Sequence, residues 1–183
     1  MTRRDTYTVD VAGVKRDLPL FEVAPGVRIA ILNILGDTEL VRAAAEALAE
    51  KLESLRGDIL VTAETKSIPL VHELANRLEL PYVVLRKDYR PYMGEALQVE
   101  TVSITTGRPQ TLYLDEKDRE LLKDKRVVLV DDVISTGSTL EAMRQVVAEA
   151  GGSTVAEAAI FTEGDKAKWQ EIIAVGHLPV FTT

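Results

Sequence analysis

Four short segments constrain this chain more than any others: DILVTA (58–63), YVVLR (82–86), RVVLVD (126–131) and VAEAAIF (155–161). They are apolar almost throughout instead of alternating with polar residues. A strand with one wet face alternates; a strand covered on both faces does not. Helical patterns lie between these runs. Apolar strands separated by helices predict an α/β fold, a parallel twisted sheet flanked by helices. Such sheets bind ligands beyond the carboxyl ends of their strands. The chemistry is therefore expected at residues 63–68, 86–100 and 131–139, and just after 161.

The intervening stretches fit that frame. Val41, Ala44, Ala45, Leu48, Leu52 and Leu55 fall at helical spacing over 38–55, with Asp37 placed as N-cap and Gly57 as terminator. Leu70, Val71, Leu74, Ala75 and Leu78 predict a second helix, capped by Ser67 with Pro69 in its first turn. A third is expected over 138–150, ended by Gly151-Gly152. Residues 6–32 predict short strands with a turn at Pro25-Gly26. KDYRPYMGEAL (87–97) predicts a long loop, and QVETVSITT and TLYLD a hairpin around GRPQ. DEKDRELLKDK is expected as a charged connection, and the C-terminal region as a polar turn around Gly164 with short apolar pieces. With 183 residues and no repeat or linker, one domain spanning 1–183 is expected.

Composition narrows the function. The chain has no cysteine, which removes disulfides, thiolate nucleophiles and Cys-type zinc sites. A net charge of −7 argues against a nucleic-acid partner, which calls for a basic footprint. No apolar run is long enough to span a bilayer and none follows the basic start like a signal peptide, so a cytoplasmic protein without membrane contact is expected. His72 is expected to be solvated on its helix, His177 has no partner at metal spacing, and Trp169 is expected to anchor packing.

The stretch VVLVDDVISTGSTL (127–140) carries the chemistry. Asp131 and Asp132 end an apolar strand, and Asp132 is expected in the following turn, where both carboxylates look into one crevice. Ionised carboxylates are pure acceptors, suited to the donors of a vicinal diol. The loop Ser135-Thr136-Gly137-Ser138-Thr139 offers hydroxyls, a glycine and the amides of a helix start, expected to be closed by a Ser138–Glu141 capping box. A helix N-terminus carries partial positive charge and is a natural phosphate site. Diol acceptors beside phosphate donors describe a 5-phosphoribosyl group.

VVLVDDVISTGSTL resembles the signature with which type I phosphoribosyltransferases bind PRPP, the 5-phosphoribosyl 1-pyrophosphate donor. ILVTAETKSIPL and YVVLRKDYRPYMGEAL are similar to the matching segments of adenine phosphoribosyltransferases. The likeness covers about residues 37–162 as a core. It implies a small hood built from about 1–35 and 163–183. By this resemblance Asp131 and Asp132 hold the ribose hydroxyls, and Ser135, Thr136, Gly137, Ser138 and Thr139 the 5′-phosphate. Mg²⁺ is implied as cofactor, held by Asp131 or Asp132 directly or through water, and a homodimer is implied.

Pyrophosphate needs local positive charge. Lys66 follows one strand; Arg86 and Lys87 end the next, with Arg90 three residues on. The family pattern Glu-Ala-Arg-Gly-Phe becomes Glu64-Thr65-Lys66-Ser67-Ile68, so a lysine replaces the bidentate arginine and a serine replaces a glycine. Glu64 and Thr65 are carried over with this pyrophosphate segment. Residues 88–100 are expected as a lid. The family's lid carboxylate has no match in Ser103-Ile104-Thr105-Thr106-Gly107, leaving Glu95 or Glu100 as substitutes. The expected activity is phosphoribosyl transfer to a purine, adenine first, with Asp131, Asp132, Lys66 and Lys87 as the catalytic set. Val27 to Leu32 and Phe161 are candidates for the base slot. The alternatives are a xanthine or hypoxanthine enzyme and a non-catalytic PRPP sensor.

Overall fold

A computed structural model describes residues 5–102 and 109–182. In chain order the elements are β1 (Thr6–Val11), β2 (Val14–Ala24), β3 (Val27–Ala30), α1 (Thr38–Leu52), β4 (Ile59–Ala63), α2 (Ile68–Leu78), β5 (Tyr82–Leu85), β6 (Leu97–Val102), β7 (Pro109–Leu114), α3 (Glu116–Leu122), β8 (Arg126–Ile134), α4 (Ser138–Glu149), β9 (Ser153–Glu163), β10 (Ile173–Leu178) and β11 (Phe181–Thr182). Short 3₁₀ turns occupy Glu53–Leu55, Pro91–Met93 and Lys166–Trp169.

The expected parallel sheet is present, in the order β10-β9-β8-β4-β5, and every neighbouring pair is parallel. Alternation along β8 divides the core. Val128 and Val130 face α1, α2 and the N-terminal strands, while Val127 and Leu129 face α4 and the β6–β7 hairpin. Fully burying one such leucine contributes about 1.5–3 kcal/mol, so the two apolar layers hold the sheet between them. The smaller sheet β1-β2-β3-β11 is antiparallel. Asp37 fastens it to the core. Its carboxylate caps α1 through the Leu40 amide at 3.1 Å and takes Arg16 of β2 at 2.7 and 2.9 Å. The guanidinium pulls the Asp37 carboxyl below its ordinary pKa.

Several expectations fail for local reasons. Arg56, not Gly57, takes the left-handed conformation after α1 (φ 50°), while a Cβ on Gly57 would stand 2.7 Å from Val128 Cγ2. The charged run 115–125 forms α3, with Asp115 as N-cap accepting from the Lys117 amide at 3.1 Å. The loop after β5 ends at Leu97, where β6 begins, so the expected lid 88–100 is part turn and part strand. The expected capping box does not form: Gly137 (φ 86°) is the N-cap of α4, and Glu141 pairs with Arg144 at 3.0 Å. Of the C-terminal residues expected in the hood, β10 belongs to the main sheet, whereas β11 joins β3.

Candidate functional site

β8 runs three residues past Asp131, so Asp132 lies inside the strand and not in the turn. Adjacent strand residues point apart, yet both carboxylates meet at one atom. Register pairing of β8 with β4 reaches Val61–Leu129. Beyond it, Thr62 Oγ1 donates to the Val130 carbonyl at 2.7 Å, and the Asp132 amide donates to Asp131 Oδ1 at 2.9 Å. That last bond draws Asp131 around the strand edge. Ser67, 2% exposed, donates its hydroxyl to Asp131 Oδ1 at 2.8 Å and stands 3.5 Å from Asp132 Oδ1. Ser67 occupies the N-cap position of α2 but makes no side-chain cap bond; its hydroxyl serves the acidic pair instead.

The site is electrostatically tense. Burial, and then the Asp132 charge, push the Asp131 carboxyl above its ordinary pKa, against the lowering effect of Ser67. Asp132 is 6% exposed, and its Oδ2 accepts no hydrogen bond of good geometry. Lys66 Nζ stands 3.1 Å from that oxygen and donates to the Leu32 carbonyl at 3.2 Å. Asp131 and Asp132 are the residues here that could hold a divalent cation. Mg²⁺ binds few protein carboxylates and keeps its waters or substrate oxygens. Here Asp132 Oδ2 has no hydrogen bond but pairs with Lys66, and no group of three or more ligating side chains gathers among the described residues.

The loop expected to hold the phosphate follows β8 directly. Asp131, Ser135, Thr136, Gly137 and Thr139 line a small crevice of about 40 Å³. Ser135 and Thr136 are exposed, and Gly137, Ser138 and Thr139 are half-buried at the start of α4. Thr136 Oγ1 lies 3.1 Å from Ser138 Oγ, and Thr139 donates to Gln110 of β7 at 3.4 Å.

The positive side gathers at the ends of β4 and β5. The Glu64–Thr65 peptide is cis. Glu64 Oε2 accepts from Arg86 Nε at 2.7 Å and its Oε1 from the Lys87 amide at 2.6 Å, so Glu64 orients the basic pair, and its hydrogen bond raises the guanidinium pKa. Arg86 also pairs its backbone with Tyr113. Lys87 and Arg90 are exposed, as is Thr65. Glu95 and Glu100 are exposed; the segment Ser103 to Gly107 lies outside the described residues.

Three roles escaped the sequence. Ser67 read as a cap because serine before an apolar stripe usually is one. Glu116, hidden in a charged run, accepts from the Glu95 amide at 2.9 Å and ties down the segment before β6. Trp169 is an anchor as expected, but its ring packs on Gly137 of the phosphate loop. Phe161 is buried in the core and not open to stacking. His72 is exposed near Tyr82, and His177 bonds Thr162 and the Gly164 carbonyl. No described helix is long and apolar enough to cross a membrane.

Residues 31–177 match the family model of the phosphoribosyl transferase domain. Over 136 residues the chain is 32% identical to the hypoxanthine/guanine phosphoribosyltransferase of Methanococcus voltae, covering 74% of this chain and 68% of that one. Over 142 residues it is 30% identical to the purine biosynthesis transcriptional activator PurR of Lactococcus lactis, covering 78% of this chain and 51% of the activator. The chain thus spans about half the length of the regulators it matches. The crystal structure of adenine phosphoribosyltransferase from Rhodothermus marinus superimposes with a TM-score of 0.64 at 25% identity, covering 94% of each chain. The chain belongs to the phosphoribosyl transferase domain family.

Proposed function

We propose that the protein transfers the 5-phosphoribosyl group of PRPP to a purine base, adenine first, releasing pyrophosphate. One observation carries the reading. Asp131 lines the small crevice of the 135–139 loop, and the adjacent Asp132 stands 3.1 Å from Lys66. That is the order of groups along PRPP: 5′-phosphate, ribose diol, pyrophosphate.

Bond breaking at the anomeric carbon leaves positive character on the sugar and negative charge on pyrophosphate. The residues' work is positioning and charge stabilisation. Asp131 and Asp132 accept the ribose hydroxyls, which fixes the ring. The amides and hydroxyls of Ser135 to Thr139 hold the 5′-phosphate. Lys66, Arg86 and Lys87 receive the charge of the leaving pyrophosphate, with Arg86 held in place by Glu64. Mg²⁺ bound at Asp131 or Asp132 would supply further charge neutralisation to PRPP. Adenine is favoured by the likeness to adenine phosphoribosyltransferases of known structure. Hypoxanthine or guanine is the nearest competitor, through the Methanococcus relative.

A second reading is a PRPP-responsive regulator without turnover. The likeness to PurR favours it. So does the pairing of Lys66 with Asp132, which sets a positive group meant for pyrophosphate against the carboxylate meant for the diol. One assay separates the readings. Protein, Mg²⁺ and PRPP are offered each purine in turn and pyrophosphate release is followed. Release with adenine supports the main reading; release only with hypoxanthine or guanine moves the substrate. PRPP binding without release for any base supports the regulator. Sedimentation with and without PRPP tests the dimer.

A further inference from the structure

The 5′-phosphate loop 135–139 carries no basic side chain of its own. After β9, the 3₁₀ turn Lys166–Trp169 folds back over the loop. Lys168 Nζ donates to the Thr136 carbonyl at 3.1 Å and lies 4.6 Å from the centre of the Trp169 ring. Trp169 is fixed at its far end by its indole N–H, which donates to the Glu163 carbonyl at 2.9 Å. Its ring closes on Gly137: a Cβ there would stand 2.8 Å from Trp169 Cη2. Gly137 holds φ 86°, a conformation that other residues resist and that here begins α4. The segment 163–169 therefore touches the loop twice, once through a cation and once through a ring packed on its one glycine.

We propose that Lys168 and Trp169 form a strap that sets the affinity of the loop for the phosphate of a sugar phosphate. This rests on the reading of residues 135–139 as the 5′-phosphate site. Trp169 is a positioning residue. It keeps Gly137 left-handed, so that the amides opening α4 present a fixed set of donors. Lys168 supplies the positive charge, held at the rim by Thr136 and by the face of the indole. A strap of this kind acts on the phosphate end of the donor and not on pyrophosphate, whose basic residues lie across the sheet at β4 and β5.

The chain has one tryptophan, so the strap carries its own reporter. Ribose 5-phosphate and inorganic pyrophosphate are titrated separately into the full chain, by calorimetry and by tryptophan emission. Ribose 5-phosphate is expected to shift the emission. Lys168→Ala is expected to weaken ribose 5-phosphate about tenfold, the scale of one charge-assisted hydrogen bond. It should leave pyrophosphate binding unchanged, and Lys168→Arg should restore most of the loss. Trp169→Leu should weaken ribose 5-phosphate similarly, with Trp169→Phe recovering part. Lys168 is exposed, so its removal does not threaten the core. Wild-type protein that binds ribose 5-phosphate no better than Lys168→Ala and Trp169→Leu overturns the strap and leaves the phosphate site standing. Equal weakening of both ligands also overturns it, since that marks a general loss of structure. Wild-type protein that binds neither ribose 5-phosphate nor PRPP removes the phosphate-site reading and the strap with it.

Discussion

Ser67 Oγ donates to Asp131 Oδ1 at 2.8 Å, tying the first residue before α2 to the acidic end of β8. The bond joins two segments that the reaction would ask to act together, one beside the pyrophosphate and one beneath the ribose. Ser67 has ordinary helical dihedrals (φ −77°), so the backbone there does not require glycine.

Ser67→Ala removes the donor and leaves a buried carboxylate oxygen with one hydrogen bond fewer. Such a loss costs about 1–3 kcal/mol. For a chain of this size that corresponds to a fall in Tm of roughly 2–4 °C per kcal/mol. Ser67→Gly should cost at least as much, because glycine also loosens the unfolded chain. Urea unfolding of the three proteins at one pH checks this. Equal stabilities would mean that the hydroxyl contributes nothing to holding the acidic pair.

The acidic pair should also leave a pH signature. Burial and the Asp132 charge raise the folded pKa of Asp131 to about 7, from 3.8. Across that window the folded state holds a proton that the unfolded state has released. Stability is therefore greatest below the unfolded pKa and falls as pH rises toward the folded one. Glu163, raised by its own burial, adds to the same slope. Asp132→Asn removes the second cause but not the first, so the slope should flatten without vanishing. The check is the unfolding free energy at several pH values between 4 and 8, for wild type and Asp132→Asn. A slope of the opposite sign would show Asp131 ionised throughout. In the same variant, PRPP binding and turnover should drop while the fold is kept.

The loop between β5 and β6 was expected to move freely, and its base is pinned. Met93 is buried, and the Glu95 amide donates to Glu116 Oε2 at 2.9 Å. Gly94 holds φ 62° with that carboxylate so close that a Cβ would collide with it. Glu116→Ala should release the Glu95 amide and speed its hydrogen exchange about tenfold for each 1.4 kcal/mol lost. Glu116→Gln keeps an acceptor and should change exchange less. Gly94→Ala should act like Glu116→Ala by pushing the carboxylate away. Unchanged exchange in Glu116→Ala would mean that Met93 alone holds the base.

The centre of the parallel sheet was legible because β4 and β8 are buried on both faces, and short apolar runs such as VVLV, set between helical stripes, read as covered strands. The stripe of α1 and its Asp37 cap were legible for the same reason: a long periodic pattern outweighs local noise. The departures fall where two local signals compete. Ser138 and Glu141 have capping-box spacing, but Gly137 already supplies the left-handed residue that starts α4, and Arg144 takes the glutamate. α3 has one buried apolar residue, Leu122, so no stripe announced it. Asp132 was expected in a turn because adjacent strand residues point to opposite faces and could not both look into one crevice. It stays in the strand because Asp131 caps the Asp132 amide and Ser67 crosses from α2. That last contact joins residues 64 apart in sequence, and spacing within either motif carries no sign of it.

Phe161 separates packing from base recognition. As the aromatic at the end of an apolar run it was a candidate to stack on a purine, and it is instead 2% exposed. A Cβ on Gly176 of the neighbouring β10 would lie 2.7 Å from Phe161 Cε1, so the glycine makes room for the ring. Phe161→Ala should therefore cost about 3–5 kcal/mol of stability, the range for emptying an aromatic site in a core. Gly176→Ala should cost about 1–3 kcal/mol by overpacking the same spot. Because the two changes act on one space, the double variant should be more stable than the sum of the single losses predicts. Urea unfolding of all four proteins measures that coupling. Full stability in Phe161→Ala with an altered preference among purines would return the ring to the base slot.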